Sequence, residues 1–465
     1  MMDKSNKKIA SAEGDQPAIP AHVSLPEITL RVIVIGVILT VILAAANAFL
    51  GLKVGVTVSA TIPAAVISMG ILRFFRNANI LENTMVSIMA SVGEALTAGI
   101  AFILPALIIL QVWDRFNYWQ TVITSLLGGF LGVLFTIPLR RALLQDKTLR
   151  YPEAVAIGNV LKASEKREKG DLQALVQGGA IGGVIALFQT GFQILTDTFS
   201  YWVKTNNMVF GFGLGLSPAL IAAGYIVGVN VGLSILVGIV MGWLAGVPIL
   251  SWIYGLPHVD TAYQMAMSLW RGYIRYIGVG TMLIGGLWTL VTLFKPVVNS
   301  MAASFTAFRQ IRLGQKPESL RTERDIPIHY VFISALLLVI PIFLLIAFSI
   351  IPREFHITPG FRYGLAGFST VYIFIGGFAF CSIMAYFAGL IGSTNSPVSG
   401  MLVSALLIVC LIFMAFFSFT DWDSQTKEVI GSVIAIGSMV VISAGLAISF
   451  ERSRGSFHRR QRLRR

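Results

Sequence analysis

Runs of about twenty apolar residues recur along this chain from residue 28 to residue 449, and each, as a helix, is long enough to cross the ~30 Å hydrocarbon layer of a bilayer. A water-soluble chain of 465 residues would instead divide into roughly two or three domains built from amphipathic helices or alternating strands. Apolar side chains make up 55% of the sequence and Asp, Glu, Lys and Arg only 12%, about half the usual globular share of charge. The solvent for the fold is therefore lipid. Lipid offers no partners to backbone N–H and C=O groups, so each crossing has to satisfy its own as a helix. The expected fold is an all-α polytopic membrane protein.

The apolar pattern predicts about twelve crossings, at roughly 28–50, 54–72, 84–111, 119–139, 174–196, 208–229, 231–251, 274–294, 328–351, 365–391, 398–419 and 427–449. The stretch 208–229 fits least well, because Gly211, Gly213, Gly215 and the pair Ser217-Pro218 interrupt it as a broken or re-entrant helix would. Around this transmembrane domain (28–449) lie a polar N-terminal segment (1–27) and a basic tail (450–465). The polar residues ahead of Ile28, with Lys4, Lys7 and Lys8, do not have the form of a cleaved signal peptide. Cys381 and Cys410 fall inside predicted spans and read as small apolar residues.

A formal charge of +13 on a soluble chain would point to nucleic acid. Here the basic residues sit in loops and in the ending ERSRGSFHRRQRLRR, which alone holds seven arginines. With twelve crossings, the N-terminus, the Arg73/Arg76 turn, the two long basic loops and the tail all fall on one side. The loop with Asp421 and Asp423 falls on the other. Lys and Arg are retained on the cytoplasmic side, so the expectation is N-in and C-in, in the cell (inner) membrane, with the bilayer and not nucleic acid as partner.

Glycine spaced at four recurs at Gly51 and Gly55, at Gly224, Gly228 and Gly232, and at Gly238, Gly242 and Gly246. Small residues at that spacing let helix backbones approach closely, so these are expected packing positions. One pair of segments also matches internally. G-L-K-V-G-V-T-V (51–58) and G-V-N-V-G-L-S-I (228–235) share both glycines and a valine, and fall at opposite membrane faces in the twelve-span topology. That is the arrangement of an inverted repeat, in which two halves are related by an axis in the membrane plane; chance matching in a chain this rich in Gly and Val is the alternative.

A charge inside a span needs a reason. Glu94 lies in S-V-G-E-A-L-T-A-G, about ten residues from either end of an otherwise uncharged run, with Gly93 and Gly99 leaving room for a ligand or a neighbouring helix. A carboxyl at that depth suits a proton carrier or the partner of a cationic substrate group; a protonated side chain bonding across helices is the structural alternative. Lys53, between the first two spans, can meet a substrate carboxylate or extend its ammonium to the headgroups. Glu153 follows Pro152 at what reads as a helix start, where a first-turn carboxylate complements the dipole. S-T-N-S-P-V-S-G (393–400) puts hydroxyls, an amide and a proline between two apolar runs. This makes Ser393, Asn395 and Ser396 candidate ligand contacts if the segment lines a cavity, and Ser217 a weaker one; an ordinary loop is the alternative.

Enzyme signatures are missing. The sequence has no H-E-x-x-H and no Walker loop, and His22, His258, His329, His356 and His458 are scattered outside the span centres. No cofactor is expected, and no His or Cys cluster would hold a bare metal ion. The remaining classes are a secondary transporter, a channel or a membrane scaffold. Assembly into a homo-oligomer is left open.

Six blocks in order carry a resemblance: N-A-F-L-G-L-K-V-G from Asn47, N-T-M-V-S-I-M-A-S-V-G-E-A-L-T-A-G from Asn83, L-R-Y-P-E-A-V-A from Leu149, L-S-P-A-L-I-A-A-G-Y-I-V-G from Leu216, R-Y-I-G-V-G-T-M-L-I-G-G-L-W from Arg275 and I-G-S-T-N-S-P-V-S-G-M from Ile391. Together they resemble the oligopeptide transporter family in its bacterial branch. The resemblance implies a helical, proton-coupled permease for small peptides or, as in the yellow stripe-like plant relatives, metal complexes of amino-acid-derived chelators. The N-P-G and K-I-P-P-R motifs of the fungal branch are not present, which moves the likeness toward the yellow stripe-like side. The family pattern is left near Ile448, and the arginine-rich ending reads as a truncation or an altered reading frame. The rival expectation is accordingly an incomplete, non-transporting permease, with a channel third.

Overall fold

The computed structural model describes residues 23, 25–54, 61–110, 113–145, 149, 151, 170–196, 198–227, 229–257, 259–285, 287–288, 291–292, 326–351, 358–390, 398–418 and 430–446. These residues are mostly helical and fall into two compact units, Met1–Glu168 with Leu287–Arg465, and Lys169–Gly286.

The first unit contains α1 (Leu30–Val54), α2 (Thr61–Leu72), α3 (Ile80–Ala101), α4 (Pro105–Ile109), α5 (Tyr118–Gln145), α6 (Ile328–Leu345), α7 (Pro359–Leu390), α8 (Val398–Phe417) and α9 (Ile430–Leu446). Each is apolar around most of its circumference, as a helix packed on one side and facing lipid on the other must be. The larger core joins α4 to α9 through residues such as Leu131, Phe135, Ile342, Ile373, Met384, Phe413 and Ile434. A separate small core, Val32, Ile35, Leu39, Ala64, Leu72, Val86 and Ala90, joins α1, α2 and α3. Arg362 ties the start of α7 to the end of α6, donating to the carbonyls of Ala347 and Ile351 at 3.2 Å each.

Close backbone approach is concentrated on α5 and α9. A Cβ on Gly128 or Gly132 would run into the backbone of Val441 or Gly445 of α9, and one on Gly99 of α3 would lie 2.8 Å from the Ser443 carbonyl oxygen. Gly128 and Gly132 have the four-residue spacing that permits such contact.

The second unit contains α10 (Gly170–Ala186), strands β1 (Thr198–Thr205) and β2 (Met208–Gly215), and helices α11 (Pro218–Val227), α12 (Val229–Ile239), α13 (Val247–Tyr254) and α14 (Ala262–Leu269). One-turn π-helical segments at Leu187–Gly191, Val240–Gly246 and Trp270–Ile274 interrupt its helices. Its core gathers Val209, Val247, Met265, Ala266, Leu269 and Ile274, with Trp243 and Trp270 stacked at 5.9 Å.

The hairpin corrects the all-α expectation. Residues 208–215 are not the start of a crossing but an antiparallel strand, paired with 198–205 from Thr198↔Gly215 to Thr205↔Met208. The reason is visible in the sequence. Phe210, Phe212 and Leu214 alternate with Gly211, Gly213 and Gly215, which is the period of a strand and not an interrupted helix. Asn206 and Asn207 form the two-residue turn, Asn206 at φ 46°, a left-handed conformation that Asn tolerates.

Seven helical stretches among the described residues are long and apolar enough to cross a membrane: Leu30–Lys53, Ile80–Ile109, Tyr118–Arg140, Gly232–Tyr254, His329–Ile350, Pro359–Leu390 and Gly400–Phe417. They coincide with seven of the predicted crossings. Of the others, 54–72 is represented by α2, whose twelve residues reach only ~18 Å, and 427–449 by the shorter α9. The polar N-terminal segment up to His22 and the basic tail lie outside the described residues.

The glycines expected to pack are distributed unevenly. Gly51 is buried in the last turn of α1, and Gly242 and Gly246 face Ile274, which would lie 3.3 and 3.2 Å from a Cβ built on each. Around Gly224, Gly232 and Gly238 no described atom lies within 4 Å of such a Cβ, and Gly55 and Gly228 lie outside the described residues. Replacing Gly132 by Leu forces a side chain between α5 and α9 and is expected to cost about 1–3 kcal/mol. A lowered midpoint in thermal unfolding of the detergent-solubilised protein would register it.

Candidate functional site

The densest group of buried polar side chains among the described residues lies between α1, α2 and α3, in a bundle otherwise lined by Val, Ile, Leu and Ala. α1 and α3 run in the same direction and touch along their length. Met89 fills the space over Gly36, and Thr40 closes the space over Gly93. Glu94 lies midway along the Ile80–Ile109 stretch and is only 6% exposed. Asn47 of α1 is buried beside it and donates from Nδ2 to the Glu94 carboxyl Oε1 at 3.0 Å, and to its backbone oxygen at 3.4 Å. An amide donor serves a carboxyl in either protonation state, because an acceptor oxygen remains in both.

Below Glu94, toward the start of α3, the polar contacts continue. The hydroxyls of Thr61 and Ser91 are 2.7 Å apart, Ser87 donates to the Thr61 carbonyl at 2.9 Å, and the Ser68 hydroxyl bonds the Asn83 side chain. Asn83, Ser87, Ser91 and Glu94 follow at intervals of four, four and three, and so form one stripe on α3.

The stripe ends on an ion pair. Glu82 is fully buried, and Arg31, 24% exposed, grips both its oxygens, from Nε at 2.9 Å and from Nη2 at 2.7 Å. Thr29 adds a hydroxyl at 2.8 Å. The rest of the guanidinium holds the turn before α3, donating to the carbonyls of Arg76 at 3.0 Å and Asn77 at 3.2 Å. Asn79 caps α3 through the N–H groups of Leu81 and Glu82, and Glu82 reaches back to the Asn79 N–H, completing a capping box. The start of α1 is thus locked to the start of α3.

Of the residues singled out from sequence, Glu94 alone falls at the centre of this group. Lys53 is exposed on the last turn of α1, its ammonium 5.5 Å from the Phe49 ring centroid. Ser217 belongs to the second unit, where it precedes Pro218 at the start of α11 and its carbonyl accepts the Ile221 N–H at 3.2 Å. Glu153, Ser393, Asn395 and Ser396 lie outside the described residues. The room expected beside Gly93 and Gly99 is taken by neighbouring helices, through Thr40 and Ser443. Asn47, Thr61, Ser91 and the Arg31–Glu82 pair were not singled out. Asn47 had a readable signal, an amide within an apolar run, and so did Glu82, third after Asn79 in N-x-x-E.

A cleft in the larger core, lined by Leu104, Trp113, Gln120, Thr124, Ile350 and Gly437, holds about 20 Å³, room for one water and not for a solute. The described residues contain no cluster of His, Cys, Asp and Glu able to hold a metal ion.

Residues 27–452 match the family model described as OPT oligopeptide transporter protein. The chain belongs to the oligopeptide transporter family. A Haemophilus influenzae protein whose name designates it an oligopeptide transporter is 36% identical over 373 residues, covering 79% of this chain and 57% of the relative. The metal-nicotianamine transporter YSL3 of Arabidopsis thaliana is 26% identical over 183 residues, 37% of this chain and 26% of the relative. YSL1 of the same plant is 26% identical over 203 residues, 41% and 28%. This oligopeptide transporter family chain thus spans just over half the length of the bacterial relative it matches. No solved structure matches it. Family and span-capable helices together make it a multi-pass membrane protein of a transporter family.

The Arg31–Glu82 pair sets a stability test within the family domain. Arg31→Ala leaves the buried Glu82 unpaired and is expected to cost about 3–5 kcal/mol. The double variant Arg31→Met/Glu82→Leu removes both charges and should lose clearly less. Equilibrium unfolding of both in mild detergent measures the difference.

Proposed function

We propose that this chain performs secondary active transport, driven by protons, of small peptides or of peptide-like solutes such as metal chelates of amino-acid derivatives. The single observation that carries the reading is Glu94, a carboxyl buried midway along a membrane-length helix and bonded by an amide from a neighbouring helix. A group so placed can take a proton from one side and surrender it to the other once the surrounding helices move.

In this reading the chain crosses the cell (inner) membrane several times from an inside N-terminus, with packing glycines allowing one helix group to rock against another. Lys53 offers its ammonium to a substrate carboxylate, and Ser393, Asn395, Ser396 and Ser217 supply polar contacts in two breaks of the apolar pattern. Both named substrate types of the relatives, oligopeptides and metal-nicotianamine complexes, carry amine and carboxylate groups that a carboxyl and an ammonium can address. Proton coupling suits this cargo, since H⁺ on Glu94 removes a charge from mid-depth while the solute is bound, so that proton and solute cross inward together.

Uptake into proteoliposomes with an imposed inward proton gradient tests the reading, with trialanine and a nickel–nicotianamine complex as probes. The wild type should accumulate at least one of them in a gradient-dependent way. Glu94→Gln should lower that accumulation by roughly 10²-fold or more, the scale on which loss of a proton-transferring group acts. Wild-type accumulation by Glu94→Gln would remove the coupling role.

A further inference from the structure

Several hydroxyls elsewhere in the described transmembrane helices turn back on their own backbone. Thr136, Ser369, Thr370, Ser382 and Ser404 each donate to the carbonyl four residues earlier, which is how a lone hydroxyl is satisfied in lipid. Between α2 and α3 the pattern changes. Thr61 and Ser91 bond each other across the helix interface, Ser87 reaches the Thr61 carbonyl, and Ser68 reaches Asn83. All these side chains are buried. Interhelical bonds of this kind contribute only about 0.6 kcal/mol each to association in a membrane, and the Val, Leu and Ala of the adjoining core pack the same helices without them. Packing does not account for a polar seam that runs ~18 Å along α3 from Glu82 to Glu94.

We propose that the Thr61–Ser91 hydroxyl pair is a proton relay between Glu94 and the membrane face that carries Arg31 and Glu82. The inference rests on Glu94 being the proton carrier. In the relay each hydroxyl oxygen accepts one proton and releases its own, so nothing is consumed, and the O–H bond broken at the Glu94 carboxyl is matched by one formed on water at the membrane face, or the reverse. Ser91 lies three residues before Glu94, a separation of about 5–6 Å between Cβ atoms that one water is able to span.

The charged residues of the described α1–α3 segment are Arg31, Lys53, Arg73, Arg76, Glu82 and Glu94, and α9, against Gly99, has none. All except Glu94 stand at helix ends or in the α2–α3 turn, so Glu94 is the one titrating group along the middle of the seam. With the N-terminus inside, the Arg31–Glu82 face is cytoplasmic, and the relay is the route by which a proton carried inward on Glu94 leaves.

The relay can be read without a transported substrate, by infrared spectroscopy of the full chain in lipid. The C=O stretch of protonated Glu94 is identified as the band lost in Glu94→Gln, and its shift on transfer to D₂O gives the rate of proton exchange. Thr61→Val and Ser91→Ala should each slow that shift about tenfold, the factor that ~1.4 kcal/mol on a barrier produces. The hydroxyl-retaining variants Thr61→Ser and Ser91→Thr should exchange at the wild-type rate. A role in packing alone would alter thermal stability and leave exchange unchanged. Wild-type exchange in folded Thr61→Val and Ser91→Ala overturns the relay while leaving Glu94 as carrier. A wild-type spectrum with no band lost in Glu94→Gln overturns both.

Discussion

A polar group enclosed by helices in lipid has no water to fall back on, and the bundle of α1, α2 and α3 is arranged around that constraint. The Glu94 carboxyl takes the Asn47 amide from another helix, and the Glu82 carboxylate takes the Arg31 guanidinium. Each bond spans α1 and α3, so satisfying a polar group and joining two helices are one event. The close fits of Met89 over Gly36 and Thr40 over Gly93 hold the helices near enough for the short Asn47 side chain to reach. Were α1 to drift outward, Glu82 would lose its guanidinium and Glu94 its Asn47 amide, and breaking a buried ion pair by removing one partner costs about 3–5 kcal/mol.

The two polar groups have different characters. Arg31 spends its guanidinium on both carboxylate oxygens and on the carbonyls of Arg76 and Asn77, and so fixes one end of the bundle. Glu94 takes a neutral amide from Asn47 in place of a guanidinium. A charged clamp at one end of the bundle and a carboxyl at mid-depth are the two parts on which the proposed coupling rests, one to keep the helices registered and one to change charge.

Much of this was legible in the sequence because lipid punishes exceptions. Glu94 stood out as the one charge in the middle of an apolar run, and seven of the predicted crossings coincide with helices long enough to span. What stayed hidden has physical causes. Glu82 was placed outside its span because a run of polar residues reads as a loop, whereas the capping box of Asn79 and Glu82 starts the helix at Ile80. Residues 208–215 were counted toward a helix because composition dominates a long window, although the two-residue period of Phe210, Phe212 and Leu214 is that of a strand. Glycine spacing identified a mode of packing without saying which pairs meet. Gly128 and Gly132 approach α9, whereas Gly224, Gly232 and Gly238, drawn from series with the same spacing, meet no described atom, since only the fold decides what lies opposite.

The central claim is that protonation of Glu94 and binding of the carried solute are linked. Linkage requires that binding change the number of protons held by the protein. The direct measurement is proton release or uptake by the purified chain in weakly buffered solution as trialanine or nickel–nicotianamine is added. The wild type is predicted to exchange up to about one proton per solute bound, by the linkage relation, and Glu94→Gln none. Equal proton exchange in the two proteins, with the solute bound in both, would contradict the account.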